Sequence, residues 1–379
     1  MLSTDSRVNG VPHFDVKITD KNLDNTVRSL MSHIKKSWDI TKLHHKVYDS
    51  GITNKLVGYY VVDGDLKVST RFGEYGRSDI VLVRIYGSKT ELIIDRAQEL
   101  RNFQELSRCS AAPPLYCTFQ NGYCYRYLEG KVLGVEDFKN PVILNLCAKY
   151  IAKLHSLRLS DEYLKQHKME STLFSTMRKY INLIPAEYES KEKQERFLSA
   201  VPSKKDLLGE VSVIEEAVSK LEKKMITFCH NDLLCANFIF DEYEEEIHCI
   251  DYEYGCPNYA AYDIANNFNE FAGIDEPDFS LYPSEETQRV WFKTYLQTYN
   301  DINGINRAVQ KADVDGLYVQ VNQFSLASHL FWGIWALVQA HVSQIDFDYM
   351  EYGILRFNEY FARKDKCLAL NKEENETKQ

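Results

Sequence analysis

No Asp, Glu, Lys or Arg occurs between Gly316 and Gln344. That run exceeds the ~20 residues that cross a bilayer as a helix. Yet Gln320, Asn322, Gln323, Ser325, Ser328, His329 and Gln339 interrupt it, and hydrocarbon cannot satisfy their polar groups. The run is therefore read as a helix buried within protein, whose polar side chains line something. From Ala260 to about Asp365 the patterning is mainly helical, as a covered helix requires.

At 379 residues the chain exceeds the ~250–300 residues at which a single core stops growing, so two bodies are expected. The first, over 1–130, reads as sheet-rich. Residues 1–40 read as peripheral, with a helix near Val27–Trp38. Strands follow at His45–Tyr48, Asn54–Val62 and Ile80–Tyr86, the last β-branched. Thr90–Leu106 reads as a helix. Leu115–Phe119 and Tyr123–Leu128 read as a hairpin about Asn121-Gly122, a tight-turn dipeptide. The second body, 131–379, reads as helical. Pro141–Leu157 is a helix capped by Asn140, with a short strand pair at Phe238–Phe240 and Ile247–Ile250 and a tail frayed over Asn371–Glu376.

Acidic residues outnumber basic ones 55 to 45, for a formal charge of -10. That balance does not suit a nucleic-acid or anionic-membrane binder, but it tolerates a cationic substrate. Nine cysteines form no CxxC pair, which fits reduced thiols rather than a disulfide ladder or zinc site. Met1-Leu2-Ser3-Thr4-Asp5 lacks a signal-peptide pattern. A cytoplasmic protein is expected.

The chemistry concentrates in His230-Asn231-Asp232-Leu233-Leu234-Cys235-Ala236-Asn237, followed by the strand that delivers Asp251. A carboxylate and a carboxamide five apart on one loop can face one point. Asp232 can accept a hydroxyl proton while Asn237 ligates a metal, and Asp251 can supply a second hard oxygen for Mg²⁺. Asp-to-Asn spacings are common in caps and turns; Asp251 on the next strand is what singles this one out. His230 reads as a brace for the loop rather than a catalytic group.

The eight-residue segment resembles the His-x-Asp-x-x-x-x-Asn motif of kinase-like small-molecule kinases. Ile250-Asp251, Glu253-Tyr254, Asn258, Asp263-Ile264, Phe268 and Glu270 follow at the spacing of the choline/ethanolamine kinase signature, nine positions over 21 residues. The resemblance extends over most of residues 11–365, including Val81–Gly87, Tyr116–Phe119 and Phe331–Trp335. It implies an α+β, two-lobed protein-kinase-like fold, with a nucleotide-binding lobe over 1–130 and a lobe over 131–379 that holds the catalytic loop and an amine pocket. It also implies a transferase using ATP and Mg²⁺: Asp232 as base, Asn237 and Asp251 as metal ligands, and Arg84 on the third strand as phosphate contact with Glu99 as its ion-pair partner. Ser50-Gly51-Ile52-Thr53-Asn54 is the candidate phosphate loop, and the chain from Arg126 to Gly130, with Tyr127, is expected to meet adenine. Ala265 and Asn267 stand where relatives usually carry Gly and His, and both read as packing variation.

Trp332 and Trp335 share a helix face. A Trp pair on an apolar helix is ordinarily core. The resemblance instead implies an aromatic pocket for an amine, with Phe347 and Tyr352 as further walls and Glu270 as acidic partner. Choline kinases tend to carry more aromatic residues just past the position of Glu270 than Phe271-Ala272-Gly273 does, which favours ethanolamine over choline and a first step toward phosphatidylethanolamine. A homodimer is compatible with the family. The runner-up readings are a choline or dual kinase, an aminoglycoside-type phosphotransferase and a nucleotide-binding pseudokinase scaffold.

Overall fold

A computed structural model of the chain describes residues 4–8, 10–48, 54–61, 80–87, 95–343 and 345–377. The chain divides into two compact units, Met1–Gly130 and Lys131–Gln379.

The first unit is built on a seven-stranded sheet. Its strands are β1 (Thr4–Val8), β2 (Val11–Phe14), β3 (Leu43–Tyr48), β4 (Asn54–Val61), β5 (Val81–Tyr86), β6 (Leu115–Phe119) and β7 (Gly122–Arg126), in the order β1-β2-β6-β7-β5-β4-β3. Every neighbouring pair is antiparallel except β2 with β6. Among the described residues it is accompanied by the helices α1 (Leu23–Ile34) and α2 (Arg96–Arg108). The sequence reading had neither β1 nor β2, so Arg84 sits on the fifth strand of the unit rather than the third.

The first forty residues are not peripheral. Val27, Leu30 and Met31 of α1 are fully buried and join Phe14, Ile18, Val57, Val81 and Val83 in one core. Helical spacing identified the apolar face of α1, but not the sheet that covers it. Asn121 locks this segment down: its side chain accepts from the Ile18 amide and donates to the Ile18 carbonyl, both at 2.8 Å. The hairpin turn is shifted by one residue from the expected Asn121-Gly122. Phe119 pairs with Gly122, leaving Gln120-Asn121 as the link, and neither Asn121 nor Gly122 has positive φ. Gly122 is required for a different reason: a Cβ there would lie 2.0 Å from the Arg84 carbonyl oxygen.

In the second unit, β8 (Lys131–Val132), β10 (Phe238–Asp241) and β11 (Glu246–Cys249) form one small sheet, and β9 (Ile226–Cys229) pairs with β12 (Cys256–Tyr259) in another. The helices are α3 (Pro141–His155), α4 (Asp161–Gln166), α5 (Leu173–Leu183), α6 (Lys191–Ala200), α7 (Lys204–Ser219), α8 (Ala260–Asn269), α9 (Glu285–Asn303), α10 (Lys311–Val342) and α11 (Tyr349–Thr377). Asn140 caps α3 by accepting the Val142 amide at 2.9 Å, with Pro141 opening the helix. The tail expected to fray continues α11 to Thr377.

The charge-free run forms most of α10, which packs against α5, α7, α8, α9 and α11. From Val319 to Ala340 almost every residue is buried. At Gly333 a Cβ would fall 2.7 Å from the Phe357 ring, so α11 lies directly on the α10 backbone. Among the described residues no helix is long and apolar enough to cross a membrane.

Candidate active site

The segment 230–237 leaves β9 and returns as β10, and Asp263 of α8 holds its start. One Asp263 oxygen accepts the His230 amide at 2.9 Å and the other the Asn231 amide at 2.7 Å. Asn231 takes a left-handed conformation, φ 66°, which Asn tolerates. Its side chain donates to the Tyr254 carbonyl at 2.9 Å and accepts from Asn258 at 2.7 Å. His230 Nε2 donates to the Ile250 carbonyl at 2.9 Å, while Nδ1 accepts the Asp232 amide at 3.3 Å. Those bonds require the neutral imidazole, and burial likewise lowers its pKa. His230 is a brace.

His155, Cys229 and Asp263 lie close enough to suggest a buried metal cluster. However, both Asp263 oxygens already accept loop amides, and His155 bonds Asp263 at 3.1 Å and the Tyr295 hydroxyl at 2.8 Å. The cluster is a support for the loop.

Asn237 donates its amide nitrogen to the Asp232 carbonyl at 2.7 Å and stands 3.4 Å from the Asp232 carboxylate. That leaves the Asn237 carboxamide oxygen as the end that can ligate. Asp251 lies two residues past β11 with φ 67°, a left-handed placement of the kind that clusters at functional sites. Asp232 is buried; desolvation first, then the carboxylates of Asp251, Glu270 and Glu253, push its pKa well above the usual range. A carboxylate cluster of this kind, with a carboxamide oxygen beside it, fits a hard divalent cation such as Mg²⁺.

The aromatic residues form a cluster of their own, linked to Glu270 through Arg356, which lies 5.6 Å from the Tyr352 ring centroid. Trp332 and Trp335 stand 5.2 Å apart edge to face, Tyr254 lies 5.3 Å from Trp332, and Tyr349 lies 5.7 Å from Trp335. Phe347 contacts both Tyr349 and Tyr352, at 4.8 and 5.8 Å. The indoles are fixed at their polar ends: Trp332 donates to Asn266 at 2.7 Å and Trp335 to the Tyr254 hydroxyl at 3.0 Å. Glu270 and Arg356 are both buried and form an ion pair at 2.9 Å. Among the described residues the second Glu270 oxygen has no hydrogen-bond partner.

In the first unit Arg84 and Glu99 are buried and 3.6 Å apart. Arg96 is nearer to Glu99 at 2.7 Å, and the Tyr123 hydroxyl donates to it at 3.0 Å. Tyr127 donates its amide to the Ile80 carbonyl at 3.0 Å, and its ring stands 5.8 Å from that of Tyr48. Asn54 opens β4; Ser50, Gly51 and Thr53 lie outside the described residues.

The model of the choline/ethanolamine kinase family matches residues 46–361. This chain belongs to the choline/ethanolamine kinase family. It is 41% identical over 363 residues to ethanolamine kinase 1 of Mus musculus, covering 95% of each chain. It is likewise 41% identical over 364 residues to ethanolamine kinase 1 of Homo sapiens, covering 95% of this chain and 76% of that one. Among solved structures it resembles an ethanolamine kinase of Plasmodium vivax, with a TM-score of 0.74 at 28% identity over 91% of this chain and 89% of that one. The α+β fold is the protein-kinase-like one that the resemblance implied.

Two readings change within that family frame. Asn267 is not packing variation, because its side chain donates to the Leu233 carbonyl at 3.1 Å and ties α8 to the catalytic loop. Phe271 packs on Phe138 at 4.7 Å and Phe268 at 5.7 Å, so its described contacts are core contacts. Gly273 has φ 80°, and its glycine answers to the backbone. Four contributors were missed: Tyr254, Tyr349, Asn266 and Arg356. Arg356 stands four residues after Tyr352, the spacing that shares a helix face, and that was the available signal.

Proposed function

We propose that this family member transfers the γ-phosphoryl group of ATP to the hydroxyl of ethanolamine, giving phosphoethanolamine and ADP. The observation that carries the reading is Glu270: a buried carboxylate with one oxygen unpartnered among the described residues, ion-paired to an Arg356 that lies over the Tyr352 ring. A primary ammonium brings three N–H donors that must be met, and its charge is attracted to aromatic faces by about 0.5–2 kcal/mol.

In this reading Glu270 accepts one ammonium N–H, and Trp332, Trp335, Phe347 and Tyr352 wall the aliphatic part. Asp232 takes the hydroxyl proton as the oxygen–phosphorus bond forms and the bond to the ADP oxygen breaks. Asn237 and Asp251 hold Mg²⁺, which when bound neutralises charge on the phosphate oxygens. Arg84, braced by Glu99, contacts phosphate. Ser50, Gly51, Thr53 and Asn54 cover the phosphates, and Tyr127 lies by adenine. The product is consumed in phosphatidylethanolamine synthesis, and the enzyme acts in the cytoplasm.

Choline is the second reading, favoured by the number of aromatic rings, since a quaternary ammonium asks for faces and not acceptors. The test is ADP release with ethanolamine, with choline and with neither. Stimulation by ethanolamine at the higher kcat/KM supports the proposal; preference for choline, or no stimulation by either, overturns it.

A further inference from the structure

We propose that Arg356 is a positioning residue for the acceptor end of the site, holding Glu270 with one oxygen open and bracing Trp332 through Ser328 and Asn266. This rests on the amino-alcohol reading above and adds a residue to it.

A buried Arg–Glu pair is weak evidence for stability, because well-packed apolar residues often serve as well. Its geometry must therefore be explained some other way. Arg356 is about 1% exposed and sits 5.6 Å from the Tyr352 ring centroid. A guanidinium commonly meets a carboxylate through two parallel bonds that occupy both oxygens. Here only Nη1 reaches Glu270, at 2.9 Å on one oxygen. Nη2 turns away and donates to the Ser328 hydroxyl at 3.2 Å. Ser328 in turn donates to the Asn266 carboxamide oxygen at 2.9 Å, which also accepts the Trp332 indole N–H at 2.7 Å.

The split has two consequences. The remaining Glu270 oxygen is buried with no hydrogen-bond partner among the described residues, so the site keeps an acceptor for a donor-bearing cation. And one side chain touches three walls of the acceptor end: Glu270 directly, Tyr352 by its ring, and Trp332 through two linked side chains. The charged and titratable groups around the pair are Asp232 and Cys235 from the catalytic segment, Tyr262 of α8, His329 of α10, and Tyr352, Glu359 and Arg363 of α11. The other guanidinium, Arg363, pairs with Glu359 at 3.8 Å and lies 3.7 Å over Tyr282, so Arg356 is the cation that Glu270 depends on.

The test is steady-state kinetics of Arg356→Met, Arg356→Lys and Ser328→Ala in the full chain. Arg356→Met should raise the ethanolamine KM on the order of 10- to 100-fold, the range for a lost charged hydrogen bond. Its kcat should stay within about 3-fold, because uniform binding is what is removed. MgATP affinity should hold, and Arg356→Lys should recover part of the ethanolamine affinity. If the Met variant fails to fold, Ser328→Ala decides: it keeps the ion pair, cuts the link to Asn266, and should raise the ethanolamine KM about 2- to 10-fold. An unchanged or improved KM in the folded variants overturns the proposal. So does an equal loss in kcat and both KM values without rescue by Lys, which marks a structural role only. A wild-type enzyme without ethanolamine-stimulated ADP release refutes the substrate reading instead.

Discussion

Two buried arginine–glutamate pairs, one in each unit, are built in opposite ways. Glu99 in the first unit is bonded by Arg96 and Tyr123, and Arg84 approaches it only to 3.6 Å. Glu270 in the second unit has Arg356 at 2.9 Å and an oxygen left over. A carboxylate whose capacity is taken up by protein donors can only hold its neighbours in place. One with a vacant acceptor in a buried site loses free energy until a donor arrives. Glu99 therefore behaves as scaffold for Arg84, and Glu270 as a ligand-seeking group. The same pair of residue types does different work because the number of partners differs.

The largest effect should come from Asp232→Asn, in the same unit as Glu270, and it sets the scale for that unit. Turnover should fall by roughly 10²–10⁴-fold, the span for a general base, with nucleotide affinity retained. Near-normal kcat would remove the chemistry from the Glu270 side. Asp251→Ala should follow, weakening MgATP far more than metal-free nucleotide; equal losses in titrations with and without Mg²⁺ would contradict its role.

The contrast itself is sharpened by paired Gln variants. Glu270→Gln should raise the ethanolamine KM about 10- to 100-fold and affect choline less, since only the primary ammonium can donate to it. Glu99→Gln should move the MgATP KM and leave the ethanolamine KM in place. If both variants shift the same KM, the division between scaffold and ligand-seeking carboxylate is wrong. Trp332→Ala should come next, lowering kcat/KM for both amines with the larger fractional loss for choline, whose methyl groups depend on aromatic contact; the cation–π share is about 0.5–2 kcal/mol. A larger loss for ethanolamine would move the cation away from the rings. The smallest effect should be Tyr123→Phe. It removes one of several donors to Glu99, and should lower stability by about 0.5–1.5 kcal/mol in denaturant unfolding without changing the ethanolamine KM.

Asp232, Asn237 and Asp251 were legible as candidates because they lie within one short stretch, on a loop and just past the strand pair that follows, where spacing limits mutual placement. The neutral brace His230 was legible for the same reason. The long buried helix could be read from missing charge alone. The partners of Arg356 and Asn266 could not, because they are far away in sequence: Arg356 bonds Glu270 across 86 positions and Asn266 bonds Trp332 across 66, and the spacing of Arg356 from Tyr352 gave only its helix face. No local periodicity encodes such pairs. The two N-terminal strands escaped notice because each is five residues or fewer, and β2 gains its place only by pairing in parallel with β6, over a hundred residues on.

By itself the amino-acid sequence determined the family, the candidate triplet Asp232, Asn237 and Asp251, and the burial of α10, since each depends on residues close together or on composition along one element. Only the tertiary structure decided that one Glu270 oxygen is unpartnered among the described residues while both Glu99 oxygens are engaged, that Asn267 anchors the 230–237 loop, and that Phe14, Ile18, Val27, Leu30 and Met31 belong to the core. The reason is physical: hydrogen-bond capacity and burial are properties of what surrounds a side chain, and those surroundings are assembled from distant segments only when the chain has folded.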